Sequence, residues 1–118
     1  MHRFQRKGGA LYAEGVSLDG LANRLGTPLY VYSAGTILDH YRRLRGVLRA
    51  IDPLVCYSVK ANSNLAILSL LARAGSGFDV VSGGELERVK KAGGKPTRCV
   101  FAGVGKTDEE IELLSLIH

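Results

Sequence analysis

The chain has 118 residues, of which 46% are hydrophobic and 23% charged, a composition typical of a globular domain rather than a disordered segment. Its formal net charge is +5 at pH 7. Its apolar runs fall well short of the ~20 residues that a membrane span requires. The basic N-terminus is not followed by an apolar stretch, which excludes a secretory signal. The sequence therefore predicts a cytoplasmic protein with no membrane partner.

A positive net charge is compatible with nucleic-acid binding, but the basic residues of this chain are scattered. One cluster, Arg42, Arg43, Arg45 and Arg49, falls on a predicted helix. No aromatic residues are interleaved with it in the manner of a single-strand binding groove. The cluster is therefore interpreted as a solvated helix face, and no nucleic-acid partner is predicted.

The two cysteines and three histidines do not form a metal-binding pattern. Cys56 and Cys99 lie 43 residues apart inside apolar runs and lack C-x-x-C spacing. His2, His40 and His118 have no spacing typical of a metal site. We expect two buried thiols and no metal.

The pattern of apolar and turn-forming residues predicts short strands alternating with helices. Strands are predicted over residues 29–32, 54–60, 78–81 and 99–102. Helices are predicted to begin at Ser33, at Asn62–Asn64, at Ser82 and at Thr107. The last two of these starts have the S/T-x-x-E pattern of a capping box, and the final helix is predicted to extend through Ile117.

The strands recur at a constant interval. The predicted strand ends near Lys60, Val81 and Ala102 are separated by two steps of 21 residues. Such a period indicates consecutive β-α-β units with a parallel sheet. An open doubly wound sheet and a (β/α)8 barrel both fit this pattern. A closed barrel needs ~200 residues or more, so a barrel would be represented here by a piece.

Lys60 stands at the carboxyl end of a predicted strand, where α/β folds place their chemistry. Because side chains alternate along a strand, Lys60 is predicted to share an inward face with Ser58, opposite Tyr57 and Val59. A buried lysine of lowered pKa is a nucleophilic amine suited to forming a Schiff base with an aldehyde. Position alone leaves open the alternative that Lys60 ends the strand and extends into solvent.

Two carboxylates and a glycine pair extend this candidate site. Asp79 lies among apolar residues in the next strand, where a charge must be paired, and Lys60 would be a natural partner. Glu85 either completes the capping box of Ser82 or lines the mouth of the site, and the two roles are compatible. Gly83–Gly84 either presents backbone N–H groups to an anion or relaxes the turn.

The segment Gly103–Thr107 superficially resembles a phosphate-binding P-loop. That motif requires a glycine five residues before Gly105, and Val100 stands there. The first turn of the phosphate cradle would be missing. A nucleoside-triphosphatase function is therefore rejected.

Four ordered segments resemble the fold-type III pyridoxal-phosphate decarboxylases. They are Gly26-Thr27-Pro28-Leu29-Tyr30-Val31-Tyr32, Cys56-Tyr57-Ser58-Val59-Lys60-Ala61-Asn62, Phe78-Asp79-Val80-Val81-Ser82-Gly83-Gly84-Glu85-Leu86 and Phe101-Ala102-Gly103-Val104-Gly105-Lys106-Thr107. The first and last are similar to diaminopimelate decarboxylases in particular. The resemblance implies an α/β fold that is a partial (β/α)8 TIM-type barrel, with about the first three to four β/α units.

The resemblance also implies a chemistry. Lys60 would hold pyridoxal 5'-phosphate covalently and act as the catalytic residue. Asp79 and Glu85 match acidic positions that line the cofactor pocket, and Ser58 matches a small residue beside it. The implied reaction is decarboxylation of meso-diaminopimelate, a small-molecule amino-acid substrate, to L-lysine and carbon dioxide. The family forms homodimers.

The resemblance further implies a domain division and a truncation. Residues 1–33 would form a strand segment that pairs with a C-terminal β-domain, and residues 34–118 would be the first part of the barrel. Later family motifs would follow His118, so the chain is expected to be an N-terminal fragment. We expect these residues alone to be inactive and not to fold stably.

Three alternatives stay open. Ornithine, arginine or carboxynorspermidine decarboxylases belong to the same class, and their substrate-selecting residues would lie beyond His118. An alanine-racemase-like enzyme shares the lysine-bearing strand but not the segment after it. A non-catalytic module that binds the cofactor or a protein partner is the third alternative.

Overall fold

The computed structural model of the chain describes residues 2–115, apart from the side chain of Leu114, and divides into two compact units. The first unit extends to Leu44 and the second begins at Arg45. The predicted division between residues 33 and 34 therefore lies inside the first unit. None of the helices formed by residues 2–115 has the length and apolar character needed to cross a membrane.

The first unit contains an antiparallel sheet and a helix where one strand segment was predicted. Strands β1 (Phe4–Lys7), β2 (Ala10–Ala13) and β3 (Val16–Ser17) pair in that order and lead into helix α1 (Leu18–Leu25). Gly8 and Gly9 connect β1 to β2 with φ of +56° and +83°. Two positive φ angles are what a two-residue type I′ hairpin requires, and glycine adopts them without steric cost.

The strand predicted over residues 29–32 does not form, so that prediction is wrong. A β-strand is stabilised by a hydrogen-bonded neighbour, and no strand within residues 2–115 pairs with this segment. Tyr30 and Tyr32 are 85% and 54% exposed. The β-favouring composition of the segment was therefore not sufficient without a partner strand.

The helix predicted to follow Ser33 is present as α2 (Ala34–Val47). The Ser33 hydroxyl caps it by accepting a hydrogen bond from the Thr36 backbone N–H at 3.0 Å. Glu14, in the turn after β2, accepts hydrogen bonds of 2.7 Å from the Ser33 hydroxyl and the Gly35 backbone N–H. These bonds lower the pKa of the Glu14 carboxyl, so the carboxylate is ionised at neutral pH and completes the cap.

The second unit contains the predicted parallel sheet. Strands β4 (Cys56–Ser58), β5 (Gly77–Val80) and β6 (Cys99–Phe101) alternate with helices α3 (Leu65–Arg73), α4 (Gly83–Lys91) and α5 (Asp108–Ser115). The strand order is β4-β5-β6. Tyr57 pairs with Phe78, and Phe78 pairs with Cys99, so the observed register confirms the period of 21 residues. Ile117 of the predicted last helix lies outside the described residues.

The two faces of this sheet differ in polarity. One face is packed with side chains of zero exposure, namely Val59, Leu68, Phe78, Val80, Leu86 and Val89. The other face carries the partly exposed Cys56, Ser58 and Asp79 and the half-exposed Val100. The predicted division into a bulky helix-packing face and a smaller, more polar face is confirmed as far as Ser58.

Helices α3 and α4 begin and end where the sequence predicts. Asn64 caps α3 by accepting from the Ala66 backbone N–H, and Ser82 caps α4 by accepting from the Glu85 backbone N–H. Gly75 and Gly93 follow the two helices with φ of +88° and +84°, the left-handed conformation that ends a helix at low cost when the residue is glycine.

The connection from α4 to β6 depends on the absence of a side chain at Gly94. A β-carbon built there would lie 2.5 Å from Val89 Cγ1 and 2.9 Å from Phe78 Cε2. Both neighbours belong to the packed core, which resists added volume. We therefore expect Gly94→Ala to lower the free energy of unfolding by about 1–3 kcal/mol.

Urea denaturation of the full-length protein, followed by circular dichroism, would measure this effect, with Gly46→Ala as the matched control. Gly46 lies in α2 with no atom within 4 Å of the added β-carbon. Alanine is the better helix former, so the control should leave stability unchanged or raise it by up to about 1 kcal/mol. Equal stability of the two variants would contradict the packing argument.

Helix α5 is anchored to the start of α4 by one carboxylate. Glu110 Oε2 accepts from the Thr107 backbone N–H at 3.2 Å, and Thr107 Oγ1 accepts from the Glu110 backbone N–H, which completes the predicted capping box. Glu110 Oε1 accepts from the Gly83 backbone N–H at 2.9 Å. The backbone hydrogen bonds from Gly83 and Thr107 lower the pKa of the Glu110 carboxyl.

Glu110→Gln should therefore destabilise the fold in a pH-dependent manner. Because the folded-state pKa lies below the ordinary value of 4.5, the contribution of the carboxylate is complete above that pH and is lost as the pH falls through the folded-state pKa. We expect the variant to have a lower thermal midpoint than the wild type at pH 7, with the difference vanishing in acid. Glu112→Gln, on the same helix, is the control and should show no such trend; a pH-independent difference for Glu110→Gln would refute the anchor.

Candidate active site

The candidate site lies at the carboxyl ends of β4, β5 and β6, where three loops leave the parallel sheet. The register places Ser58, Asp79 and Val100 side by side at the last level at which all three strands are paired. Since parallel strands present their carboxyl ends at one edge, the loops that carry Lys60, Glu85 and Lys106 leave from that same edge. The sequence prediction that these segments share an edge is confirmed.

Lys60 lies beyond the end of its strand, in a single 3-10 turn over Val59–Ala61. Strand β4 ends at Ser58, so the alternation of side chains that was predicted to turn Lys60 inward does not extend to it. The Lys60 side chain is exposed, and within residues 2–115 it forms no ion pair. The prediction that Lys60 is buried is therefore wrong for the described residues. The amine does lie at the carboxyl edge of the sheet, but no other segment within residues 2–115 covers it there.

Asp79 has the most constrained carboxylate of the site. Its Oδ2 accepts a hydrogen bond of 3.1 Å from the Ser58 hydroxyl on the neighbouring strand. Its Oδ1 is buried and has no hydrogen-bond partner. Ser58 rather than Lys60 is thus the observed partner of Asp79, which corrects the expected lysine–aspartate pair. A buried acceptor without a donor costs about 1–3 kcal/mol, so a hydrogen bond from a donor that reached Oδ1 would be favourable.

Glu85 is used at the start of α4. Its Oε2 accepts from the Val81 backbone N–H at 2.8 Å, one residue before the position that a capping box would use. The Ser82 half of the box is present, as described above. The side chain is partly buried and holds the turn between β5 and α4, so its capping role is observed and its role toward a ligand stays a prediction.

The predicted anion site at Gly83–Gly84 has an internal occupant at its first N–H. The Gly83 backbone N–H donates to the Glu110 carboxylate. A carboxylate at a helix N-terminus is favoured by the partial positive charge there. The position at Gly83 that was considered for an external anion is therefore filled by the chain itself.

Two residues that are not among the predicted site residues, Tyr57 and Arg88, hold the loop after β4. The Tyr57 hydroxyl donates to the Asn62 carbonyl at 3.1 Å, and Arg88 Nε on α4 donates to the Ser63 carbonyl at 2.8 Å. Tyr57 was assigned only to helix packing, although a tyrosine that packs by its ring commonly keeps its hydroxyl bonded. Arg88 lies one turn after Glu85 on α4, which could have indicated that it reaches the same edge.

The loop after β6 is held by a lysine. Lys106 Nζ lies 5.3 Å from the centroid of the Phe101 ring and donates to the Gly103 carbonyl at 3.1 Å. A cation over an aromatic face is attracted by the electron density of the ring. These two contacts bring a second primary amine to the edge that carries Lys60.

Both cysteines carry free thiols, and the two differ in burial. Cys99 is buried, and Cys56 is partly buried on the same sheet face as Ser58. Burial raises the pKa of the Cys99 thiol to about 11 and also raises the pKa of the Cys56 thiol. Both are therefore protonated at neutral pH and are not nucleophiles.

Comparison with known proteins gives a consistent result. The family described as "Pyridoxal-dependent decarboxylase, pyridoxal binding domain" matches residues 34–116. A diaminopimelate decarboxylase from Pseudomonas fluorescens is 55% identical over 111 residues, which cover 94% of this chain and 27% of that protein. The chain thus spans about a quarter of the length of the curated relatives it matches.

Solved structures show the same fold. Diaminopimelate decarboxylase from M. jannaschii, in complex with L-lysine, superposes with a TM-score of 0.91 at 38% identity and covers 97% of this chain and 28% of that one. Lysine decarboxylase from Selenomonas ruminantium superposes with a TM-score of 0.79 at 31% identity, and the match covers 99% of this chain and 29% of the lysine decarboxylase chain.

The predicted fold class, a partial (β/α)8-type barrel of about three to four units, is confirmed by these neighbours together with the observed parallel β/α units. The matched residues include β4 to β6 and the three loops at their carboxyl edge. The chain belongs to the family of pyridoxal-dependent decarboxylases and contains its pyridoxal-binding domain in part.

Proposed function

We propose that the full-length protein carrying this chain decarboxylates meso-diaminopimelate to L-lysine and carbon dioxide with pyridoxal 5'-phosphate as cofactor. The observation that carries the proposal is that an exposed lysine amine and a carboxylate with one buried, unpartnered oxygen both lie at the carboxyl edge of the same sheet. Lys60 and Asp79 fall inside the segments that match the pyridoxal-binding family. This chain would supply the first part of the cofactor-binding barrel.

The residues present fit the cofactor. A primary amine that is not committed to an ion pair can attach to the aldehyde of pyridoxal phosphate, and Lys60 is such an amine. Asp79 Oδ1 is an acceptor with no donor, which a bound group or the Lys60 amine could satisfy. The cofactor, when bound, supplies the electron sink for the pair released from the Cα–carboxylate bond.

In this proposal, side chains of this chain hold the Asp79 carboxylate and the loops of the site in place. Ser58 fixes the Asp79 carboxylate by its hydrogen bond, so the free Oδ1 points in a defined direction. Glu85 fixes the turn after β5, and Arg88 and Tyr57 fix the loop that carries Lys60. Lys60 would hold the cofactor through its amine and could hold or deliver a proton near the substrate Cα.

The identity of the substrate rests on similarity. The higher identity to the diaminopimelate decarboxylase from P. fluorescens than to the lysine decarboxylase from S. ruminantium favours diaminopimelate. Ornithine, arginine or carboxynorspermidine are the alternative substrates within the class. A turnover assay of the full-length protein with each substrate would distinguish them.

The remaining parts of the proposal concern the assembled protein. Further β/α units would close the barrel over Lys60, and the segment 1–33 would pair with a C-terminal β-domain. The full-length protein would be a cytoplasmic homodimer. Closure of the barrel would supply the burial that the Lys60 amine lacks within residues 2–115.

Covalent attachment of the cofactor at Lys60 is the first test. The full-length protein would be incubated with pyridoxal phosphate, reduced with borohydride and digested for mass spectrometry. We expect the reduced adduct on the peptide containing Lys60, and its loss together with all decarboxylation in Lys60→Ala, because the amine is the attachment point.

Lys91→Ala is the control for this test, since Lys91 is an exposed lysine in the last turn of α4. It should keep both the adduct and the activity. An adduct on another lysine would overturn the assignment of Lys60. An adduct on Lys60 in a protein that turns over none of the amino acids would instead support a non-catalytic cofactor-binding module.

Asp79 is expected to contribute to the affinity for the cofactor. Asp79→Asn keeps the shape of the side chain but removes its charge and one acceptor oxygen, so we expect the dissociation constant for pyridoxal phosphate to rise by roughly ten-fold. Titration of the apoprotein by absorbance would measure it. Ser58→Ala, which removes only the hydroxyl that orients Asp79, should have a smaller effect, and an unchanged affinity in Asp79→Asn would argue against the role.

A further inference from the structure

A cavity of about 250 Å³ lies at the opposite edge of the parallel sheet from Lys60. It is lined by the residues that precede β5 and β6 and by one residue at the end of α2, including Arg45, Gly75, Ser76, Gly93, Lys95 and Arg98. Because these residues stand at the amino ends of the strands, the cavity is separate from the candidate active site. We call it the basic cavity.

The charges around the basic cavity are all of one sign. Arg45, Lys95 and Arg98 line it, and its lining contains no aspartate or glutamate. The ion pairs formed within residues 2–115 are Arg3–Asp39 and Lys90–Glu87, so none of the three cations is neutralised by a described carboxylate. Like charges at short range repel one another unless a counter-ion is present.

Arg98 is the group whose hydrogen bonding is incomplete. One of its terminal nitrogens, Nη2, donates to the Gly75 carbonyl at 2.9 Å, while its Nε is buried and has no partner. Guanidinium N–H groups can only donate, so this buried nitrogen requires an acceptor. The interaction of Arg98 with the C-terminus of α3 explains the Nη2 bond but leaves Nε unsatisfied.

A second guanidinium group lies beside the same glycine. Arg45 Nη1 is 3.5 Å from the place that a β-carbon on Gly75 would occupy. Gly75 and Gly93 carry no side chains that could fill the cavity. Two guanidinium groups therefore lie close to the same open volume, and Lys95 lies on its rim.

We propose that the basic cavity binds an oxyanion of the phosphate type, carried by a small molecule or free in solution. Arginine forks match the paired oxygens of phosphate, and charge-assisted bonds of this kind are among the stronger hydrogen bonds in proteins. The anion would accept from the Arg98 guanidinium, whose hydrogen bonding is incomplete, and would neutralise Arg45 and Lys95. This inference does not depend on the proposed decarboxylase function.

Calorimetric titration with inorganic phosphate and inorganic diphosphate would test the proposal. The full-length protein would first be loaded with pyridoxal phosphate and freed of excess cofactor, so that the cofactor site is filled. We expect saturable binding that weakens with added sodium chloride, with diphosphate bound more tightly than phosphate. Absence of saturable binding of either anion at low ionic strength would overturn the proposal.

Variants would assign the binding to the cavity. Arg98→Met and Arg45→Met should each weaken diphosphate binding by about ten-fold or more, and Arg98→Lys should retain part of the affinity because it keeps the charge but not the fork. Arg43→Met is the matched control, since Arg43 is an exposed arginine of α2 that does not line the cavity. Equal weakening in Arg43→Met would mean non-specific attraction and would overturn the proposal.

A chemical-shift measurement on the wild-type protein locates the anion without any substitution. Diphosphate added to the 15N-labelled holoprotein should shift the amide resonances of Gly75, Ser76 and Gly93. Shifts confined to those residues would support binding in the basic cavity. Shifts confined to the loops after β4, β5 and β6 would place the anion at the active-site edge and refute it.

Discussion

The parallel pairing of β4, β5 and β6 at intervals of 21 residues is the constraint on which the rest of the second unit depends. Each strand is only three or four residues long, so a shift of one residue in register would move Asp79 from the polar face to the core face that Phe78 occupies. The zero exposure of Phe78 and Val80 makes such a shift costly. The register that packs the core therefore also brings Ser58 beside Asp79.

The candidate site residues Ser58 and Asp79 and the packed core lie on opposite faces of one short sheet. The apolar face supplies stability through contact with α3 and α4, and the other face is free to hold a carboxylate with an unsatisfied oxygen. A buried acceptor of this kind is a local cost that the packed face offsets. Carboxylates lie together with cations at the carboxyl edge, whereas the amino edge carries three cations that form no ion pair within residues 2–115.

Local signals in the sequence predicted most of the second unit. Capping residues such as Asn64, Ser82 and Thr107 act within a few residues of chain, so their helices begin where expected. Predictions that needed a distant partner were less accurate. The segment 29–32 forms no strand because no strand within residues 2–115 pairs with it, and Lys60 is exposed because no segment of that range covers it. The hairpin at Gly8 and Gly9 has a local sequence signal, a glycine pair, that the predicted strands do not include.

The carboxylate of Glu110 at the start of α4 is in effect a tethered ligand. Because its own helix carries it, its binding to the Gly83 N–H is an intramolecular event with which a diffusing anion must compete. A free phosphate would have to displace it and also disrupt the capping of α5. An anionic group that enters the carboxyl edge would therefore need donors other than the Gly83 N–H.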